Sequence, residues 1–292
     1  MYRALADAIR EAESQGKTLS QVALERESED QGRSIEEIRA SLTRALDVMR
    51  GAIGDGATGD LRSASGLVGG DAAKLFNEAA GPLADTLFRD ILARALAVQE
   101  VNAAMGVIVA APTAGGAGTL PAVLTGLAKA RSIPDEKVID ALATAGLVGA
   151  VIAERASLSG AEGGCQAETG AGAAMAAAAA TEMLGGTPTQ AGHAVALTMQ
   201  GMLGLVCDPL GGLVELPCVF RNATGSAIAL AGIEMALAGI TFAIPADEVI
   251  DVMGEIGKEM DVRYRETAGG GLAATPTGRR LARERLYQIR RS

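Results

Sequence analysis

The sequence predicts an all-α fold: an Ala/Gly-rich helical domain preceded by a small N-terminal helical segment. Three observations carry this reading. Ala-rich segments dominate the chain, and Ala is the best helix former. Helix start signals recur along it, from Thr18 to Ile244. No run of alternating β-branched residues, the mark of a half-buried strand, is present.

Taken in order, residues 1–50 read as two or three charged, amphipathic helices. Thr18-Leu19-Ser20-Gln21 and Ser34-Ile35-Glu36-Glu37 fit the capping box, in which a hydroxyl and a carboxyl or amide satisfy the free N–H groups of a first turn. Gly51–Gly59 reads as a Gly-rich break. From Leu61 onward charge falls and Gly and Ala rise, which places the main domain at 61–292. Within it, Thr187-Pro188-Thr189-Gln190, Ile133-Pro134-Asp135-Glu136 and Ile244-Pro245-Ala246-Asp247 start helices with proline at the first turn. The apolar stretches Ala141–Ala153, Ala173–Ala180 and Ser226–Ile244 read as buried helices. The first two are too short to span a bilayer, and the third carries Glu234 at its centre. Between the helices lie five Gly-rich strings that also carry Ser, Thr, Asn or Cys: Ser63–Asp71, Asn102–Gly118, Ser157–Gly170, Leu203–Asn222 and Glu266–Gly278. Glycine at a helix junction exposes backbone N–H groups, and five such junctions in one domain are expected to converge on a ligand.

Composition narrows the function. Hydrophobic residues make up 49% of the 292, enough for a sizeable core, but aromatics are only 2% and Trp is absent, so that core must be made of Ala, Leu, Val, Ile and Met. A net charge of −9 argues against a binder of nucleic acid or of an anionic membrane. The basic run Arg279–Arg291 reads as a solvated helix end. Met1–Gly16 is charged throughout and has no apolar core of a signal peptide, so the expected location is cytoplasmic. An odd number of cysteines, three, points to thiol chemistry in a reducing compartment.

Those cysteines, Cys165, Cys207 and Cys218, each sit beside Gly or Pro or an acidic residue in a loop-like string. A buried free cysteine is most often a small hydrophobe. Zinc with His193 as fourth ligand is a second reading, weakened by the absence of any closely spaced cysteine pair. A third is a [4Fe–4S] cluster held at three irons, with one iron left open as a Lewis acid.

The strings Ser63-Ala64-Ser65-Gly66-Leu67 with Gly69-Gly70-Asp71, Glu100-Val101-Asn102-Ala103-Ala104-Met105-Gly106 and Ala111-Pro112-Thr113-Ala114-Gly115 fit one family. So do Ser157-Leu158-Ser159-Gly160 with Gly163-Gly164-Cys165-Gln166-Ala167-Glu168, and Met202 through Pro209. The same holds for Gly212 through Cys218 with Arg221-Asn222, and for Arg265-Glu266-Thr267 through Gly278. Over almost its whole length the chain resembles the α chain of the iron–sulfur L-serine dehydratases. It departs from them at Gly116, where Ser is common, at Ala268, where Gly is usual, and in a longer Arg-rich tail.

The resemblance implies that Cys165, Cys207 and Cys218 ligate a [4Fe–4S] cluster on which the Gly-rich loops converge. It also implies conversion of L-serine to pyruvate and ammonia. Ser63, Ser65, Asn102, Thr113, Ala114, Gly115 and Arg221 are the candidate substrate-binding residues. The sole histidine, His193, reads as a helical residue satisfied in the core or near the surface, so no catalytic base is evident in this chain. In the resembling family a Ser-His-Thr motif of the β domain or β chain supplies it, and this sequence lacks that motif. A separate β subunit is therefore the expected partner. The resemblance also brings single-chain members whose terminal cysteine caps the open iron, whereas no cysteine follows Cys218 here. Pyridoxal phosphate is not expected, because Lys17, Lys74, Lys129, Lys137 and Lys258 all read as exposed helical residues. Two alternatives stand beside this reading: a related cluster lyase acting on cysteine or threonine, and a non-catalytic iron–sulfur sensor or scaffold.

Overall fold

A computed structural model describes residues 2–77 and 86–289. Arg290, Arg291 and Ser292, the end of the basic tail, lie outside the described residues. The described elements are α1 (Leu5–Gln15), α2 (Leu19–Gln31), α3 (Ile35–Ala57), α4 (Asp71–Asn77), α5 (Thr86–Ala103), α6 (Thr119–Arg131) and α7 (Asp135–Arg155). After these come α8 (Gly160–Gly163), α9 (Ala171–Met183), α10 (Pro188–Met199), α11 (Cys218–Leu237), α12 (Ala246–Glu259) and α13 (Pro276–Ile289). Among the described residues there is no strand, and the fold is all-α.

Local chemistry places five of the helix starts. Thr18, Ser34 and Thr187 each complete a capping box, with Gln21, Glu37 and Gln190 reaching back to the cap N–H. Pro188 takes the first position of α10, whereas Pro134 and Pro245 sit one place earlier, at the caps of α7 and α12.

At the centre is α9, with α6, α7, α10 and α11 around it. Its alanines from Ala171 to Ala180 are almost wholly buried, so neighbouring backbones approach closely and little side-chain entropy is lost on folding. The first three helices join the same core through Leu5 and Ala8, Leu19 and Val22, and Leu46 and Met49. The N–H groups of Leu5 and Ala6 donate to the carboxylate of Asp247 in α12, at 2.8 and 3.0 Å. No described helix is long and apolar enough to cross a membrane.

Two readings of the sequence are corrected here. The break expected at Gly51–Gly59 is helical as far as Ala57, so the boundary expected after residue 50 falls inside α3. Gly56 serves close approach instead, because a Cβ there would lie 2.4 Å from the Ala97 carbonyl oxygen of α5. The stretch Ser226–Ile244 is not one buried helix. Gly239, in the left-handed region at φ 84°, follows the end of α11 at Leu237, and Ile240, Ile244 and Glu234 are exposed.

Candidate functional site

The Gly-rich strings meet at one end of the molecule, where α5 ends and where α9 and α11 begin. Cys165 immediately precedes a π turn, Gln166–Gly170, that leads into α9. Cys207 lies in the loop after α10 and is pinned to a distant segment. Its N–H donates to Tyr264 O (2.7 Å) and its carbonyl accepts from Glu266 N (2.9 Å), an isolated parallel bridge centred on Arg265. Cys218 opens α11, just after the cis Leu216–Pro217 bond. All three are free and buried.

The thiols act on one another. Burial pushes Cys218 up to about 12, and neighbouring Cys165 adds to the rise. Burial raises Cys207 further, reinforced by Glu168, Cys165 and Cys218. Cys165 is raised by burial, while the Thr169 hydroxyl 3.1 Å away and Arg221 pull it down. Three buried thiols whose ionised forms would repel one another are a donor set suited to a cationic metal centre, since ligation removes the thiol protons. Among the described residues no three of His, Cys, Asp and Glu are placed to hold a single metal ion. The cysteines of a cluster sit on separate irons and need not close on one point. The donor set therefore fits the implied cluster in number and in softness.

The candidate substrate residues divide into two groups. Thr113 donates to Glu168 Oε1 (2.7 Å), next to the thiols. The carbonyl of Ala114 accepts from Gln99 (2.9 Å) and Asn102 (3.1 Å), and that of Gly115 accepts from Asn222 (2.7 Å). The loop 113–115 is thus fixed between α5 and α11, with each tie running from a side chain to the backbone.

Ser63 and Ser65 are buried, and both donate to Glu215 Oε2, Ser63 at 2.7 Å. Arg221 is likewise engaged within the protein. Its Nη1 lies 2.8 Å from Val206 O, to which it donates, and 2.8 Å from Asp208 Oδ1, an ion pair that braces the Cys207 loop against α11. Asp208 also accepts from Leu272 N (2.6 Å), which ties in the fifth string. His193 lies in α10, half-buried, where its Nδ1 accepts from Phe242 N (3.4 Å). Of the lysines, Lys17 differs from expectation: it is half-buried in the turn between α1 and α2 and pairs with Glu25 (2.7 Å).

Sequence reasoning missed Glu168. It quoted the residue within a motif and gave it no role. Here its Oε2 lies 3.8 Å from Cys207 Sγ, and burial raises its carboxyl above the usual range, with Glu266 adding to the rise. One signal was available: Glu168 is the only charged residue between Glu162 and Glu182.

With this geometry in place, comparison with known proteins decides the family. The family described as serine dehydratase alpha chain matches residues 14–273. The chain belongs to that family. Its similarity to individual relatives covers more than nine tenths of this chain in the three cases that follow. It is 47% identical over 286 residues to a Bacillus subtilis protein named "Probable L-serine dehydratase, alpha chain", covering 97% of this chain and 95% of the relative. It is 41% identical over 277 residues to the "L-serine dehydratase, alpha chain" of Peptoniphilus asaccharolyticus, covering 94% of each. A Streptomyces coelicolor protein named "L-serine dehydratase" is 40% identical over 279 residues, 93% of this chain but 60% of the longer relative.

Proposed function

We propose that this chain is the α subunit of an L-serine dehydratase, converting L-serine to pyruvate and ammonia. Cys165, Cys207 and Cys218 would hold a [4Fe–4S] cluster, and a separate β subunit would complete the site. The observation that carries the reading is the convergence of three buried thiols from three separate strings beside a fixed, polar loop 113–115. Family membership supports the same activity. When bound, such a cluster supplies an open iron that acts as a Lewis acid on the substrate hydroxyl.

The chain's own residues do the rest of the positioning. Thr113 orients Glu168. Asn102 and Gln99 hold the 113–115 turn, whose backbone is offered to the substrate. Ser63, Ser65 and Arg221 act from behind, through Glu215 and Asp208. Residues 61–292 form the cluster-binding part in this reading, and α1–α3 pack onto the same core. Free thiols suit a reducing compartment, the cytoplasm.

The test is anaerobic purification with the β partner, followed by assays for iron and for pyruvate formed from serine. About four irons per α chain are expected in a three-thiolate cluster. Cys165→Ser, Cys207→Ser and Cys218→Ser should each abolish both iron and turnover. Full iron retention in all three variants, or stoichiometric zinc instead, overturns the assignment. Faster turnover of cysteine or threonine than of serine would reassign the substrate.

A further inference from the structure

The bridge between Cys207 and Arg265 uses backbone atoms alone, which leaves the Arg265 side chain for another task. That task is not at the thiols. The cation that acts on Cys165 and Cys218 is Arg221, and Glu266 is the residue of this segment that acts on Cys207 and Glu168. Arg265 instead lines a cavity of about 290 Å³ between the π turn and α12. Ala167 and Met253 give it an apolar wall, and Lys258 of α12 brings a second positive charge to it.

Both cations are unspent. Arg265 is half-buried, and its Nε is shut off from solvent without a hydrogen-bond partner. Asp261, the carboxylate on which Arg265 acts at longer range, is already held by Arg263 through Nε (3.1 Å) and Nη2 (3.0 Å). Lys258 is exposed and makes no ion pair among the described residues. A buried N–H without an acceptor costs free energy until an acceptor arrives. A guanidinium presents its N–H groups as a planar fork that matches the two oxygens of a carboxylate. The lining also carries one acid, Glu162, whose Oε2 accepts from Ser157 Oγ (2.6 Å). Its charge disfavours a dianion such as phosphate, and the apolar wall would leave some oxygens of a tetrahedral anion unpaired. A single carboxylate on a short carbon chain meets both conditions.

We propose that this cavity binds a short-chain monocarboxylate, with the carboxylate held by Arg265 and Lys258 and the carbon chain laid against Ala167 and Met253. The site is separate from the thiols and does not depend on the substrate assigned above.

The test follows the Tm of the anaerobic holoenzyme against the concentration of propionate. Propionamide serves as the uncharged isostere, and chloride matches the ionic strength. A ligand of the folded state raises Tm by mass action, so propionate should raise it while propionamide and chloride do not. Arg265→Gln should keep the iron content and move the response to roughly 10- to 100-fold higher propionate. Glu162→Gln removes the opposing charge and should move it to about threefold lower propionate. Equal responses to propionate and propionamide, or an unaltered response in Arg265→Gln, overturn the proposal. So does a response that follows the iron content and not Arg265, because it belongs to the cluster. Phosphate at the same ionic strength should give the smaller rise, and a larger one overturns the choice of a carboxylate. If Arg265→Gln does not fold, Lys258→Gln at its exposed position decides: an unchanged response there overturns the proposal.

Discussion

Helix α9 and the π turn that feeds it are continuous in sequence, yet they are built on opposite terms. From Ala171 to Ala180 every side chain is small or flexible and apolar, and neighbouring helices press on all sides. Immediately upstream, Gln166–Gly170 is tied by polar bonds to α12 and to distant loops. Gln166 donates to Met253 O (3.0 Å) and accepts from Gly204 N (2.9 Å), and Glu168 accepts from Thr113. The core holds α9 in place through shape, with almost no polar specification. The site is positioned by hydrogen bonds between loops that contribute little apolar burial. Substitutions in the two regions should therefore fail in different ways.

The largest expected effect is on the core side. Ala177→Leu adds three carbons to a fully buried position in α9 and should cost about 3 kcal/mol or more in urea unfolding. If this variant were as stable as the parent, the helices around α9 would not be close-packed, and the contrast would collapse.

A smaller effect is expected at Gly232 of α11, where a Cβ would lie 2.1 Å from the buried Thr198 Oγ1 of α10. Gly232→Ala should destabilise by about 1–2 kcal/mol despite the better helix propensity of Ala. That hydroxyl has no hydrogen-bond partner among the described residues, so Thr198→Ala should relieve the clash. The double variant should recover most of the loss. Additive losses would show that the backbone, and not the hydroxyl, sets the spacing.

The smallest effect concerns the one ionisable group that α9 carries near its end. Glu182 receives the Ser20 N–H at the start of α2, at 3.2 Å, and burial raises its carboxyl above the usual range. The folded state thus holds this proton to higher pH than the unfolded chain does. The resulting stability is present below the ordinary glutamate value, near about 4.3, and is lost as pH rises toward the raised value. Glu182→Gln removes that dependence. Its Tm relative to the parent should be more favourable at pH 7 than at pH 4, and a Tm difference that does not change with pH would refute the assignment.

Much of the fold was legible because its signals are local. Thr18, Ser34 and Thr187 announce helix starts within four residues, and the structure places caps at all three. Glycine was harder to read, since it serves two purposes that look alike in a sequence. Gly239 ends a helix through its left-handed backbone, whereas Gly56 sits mid-helix so that α5 can approach. The same ambiguity explains the false break at Gly51–Gly59 and the missed stop after Leu237. At the site, the five strings were recognisable by composition, but their pairing was not. Nothing local links Ser63 to Glu215, or Arg221 to Asp208, so these ties between loops could not be read from the sequence. Ala268 shows its conformation only in the backbone: it sits at φ 55°, which glycine adopts without strain.

The π turn at Gln166–Gly170 carries one residue more than an α-helix of the same rise. Each residue of an α-helix rotates the chain by about 100°, so deleting one here would leave Ala171–Met183 in the core and swing whatever lies upstream off its bearing. The turn works as a register adjuster. Downstream, the chain is indexed to the packing of its neighbours, and upstream, to the direction in which a thiol and a carboxylate must point. A single inserted residue is therefore the smallest sequence change that turns a plain core helix into one that delivers Cys165 and Glu168 to the same place.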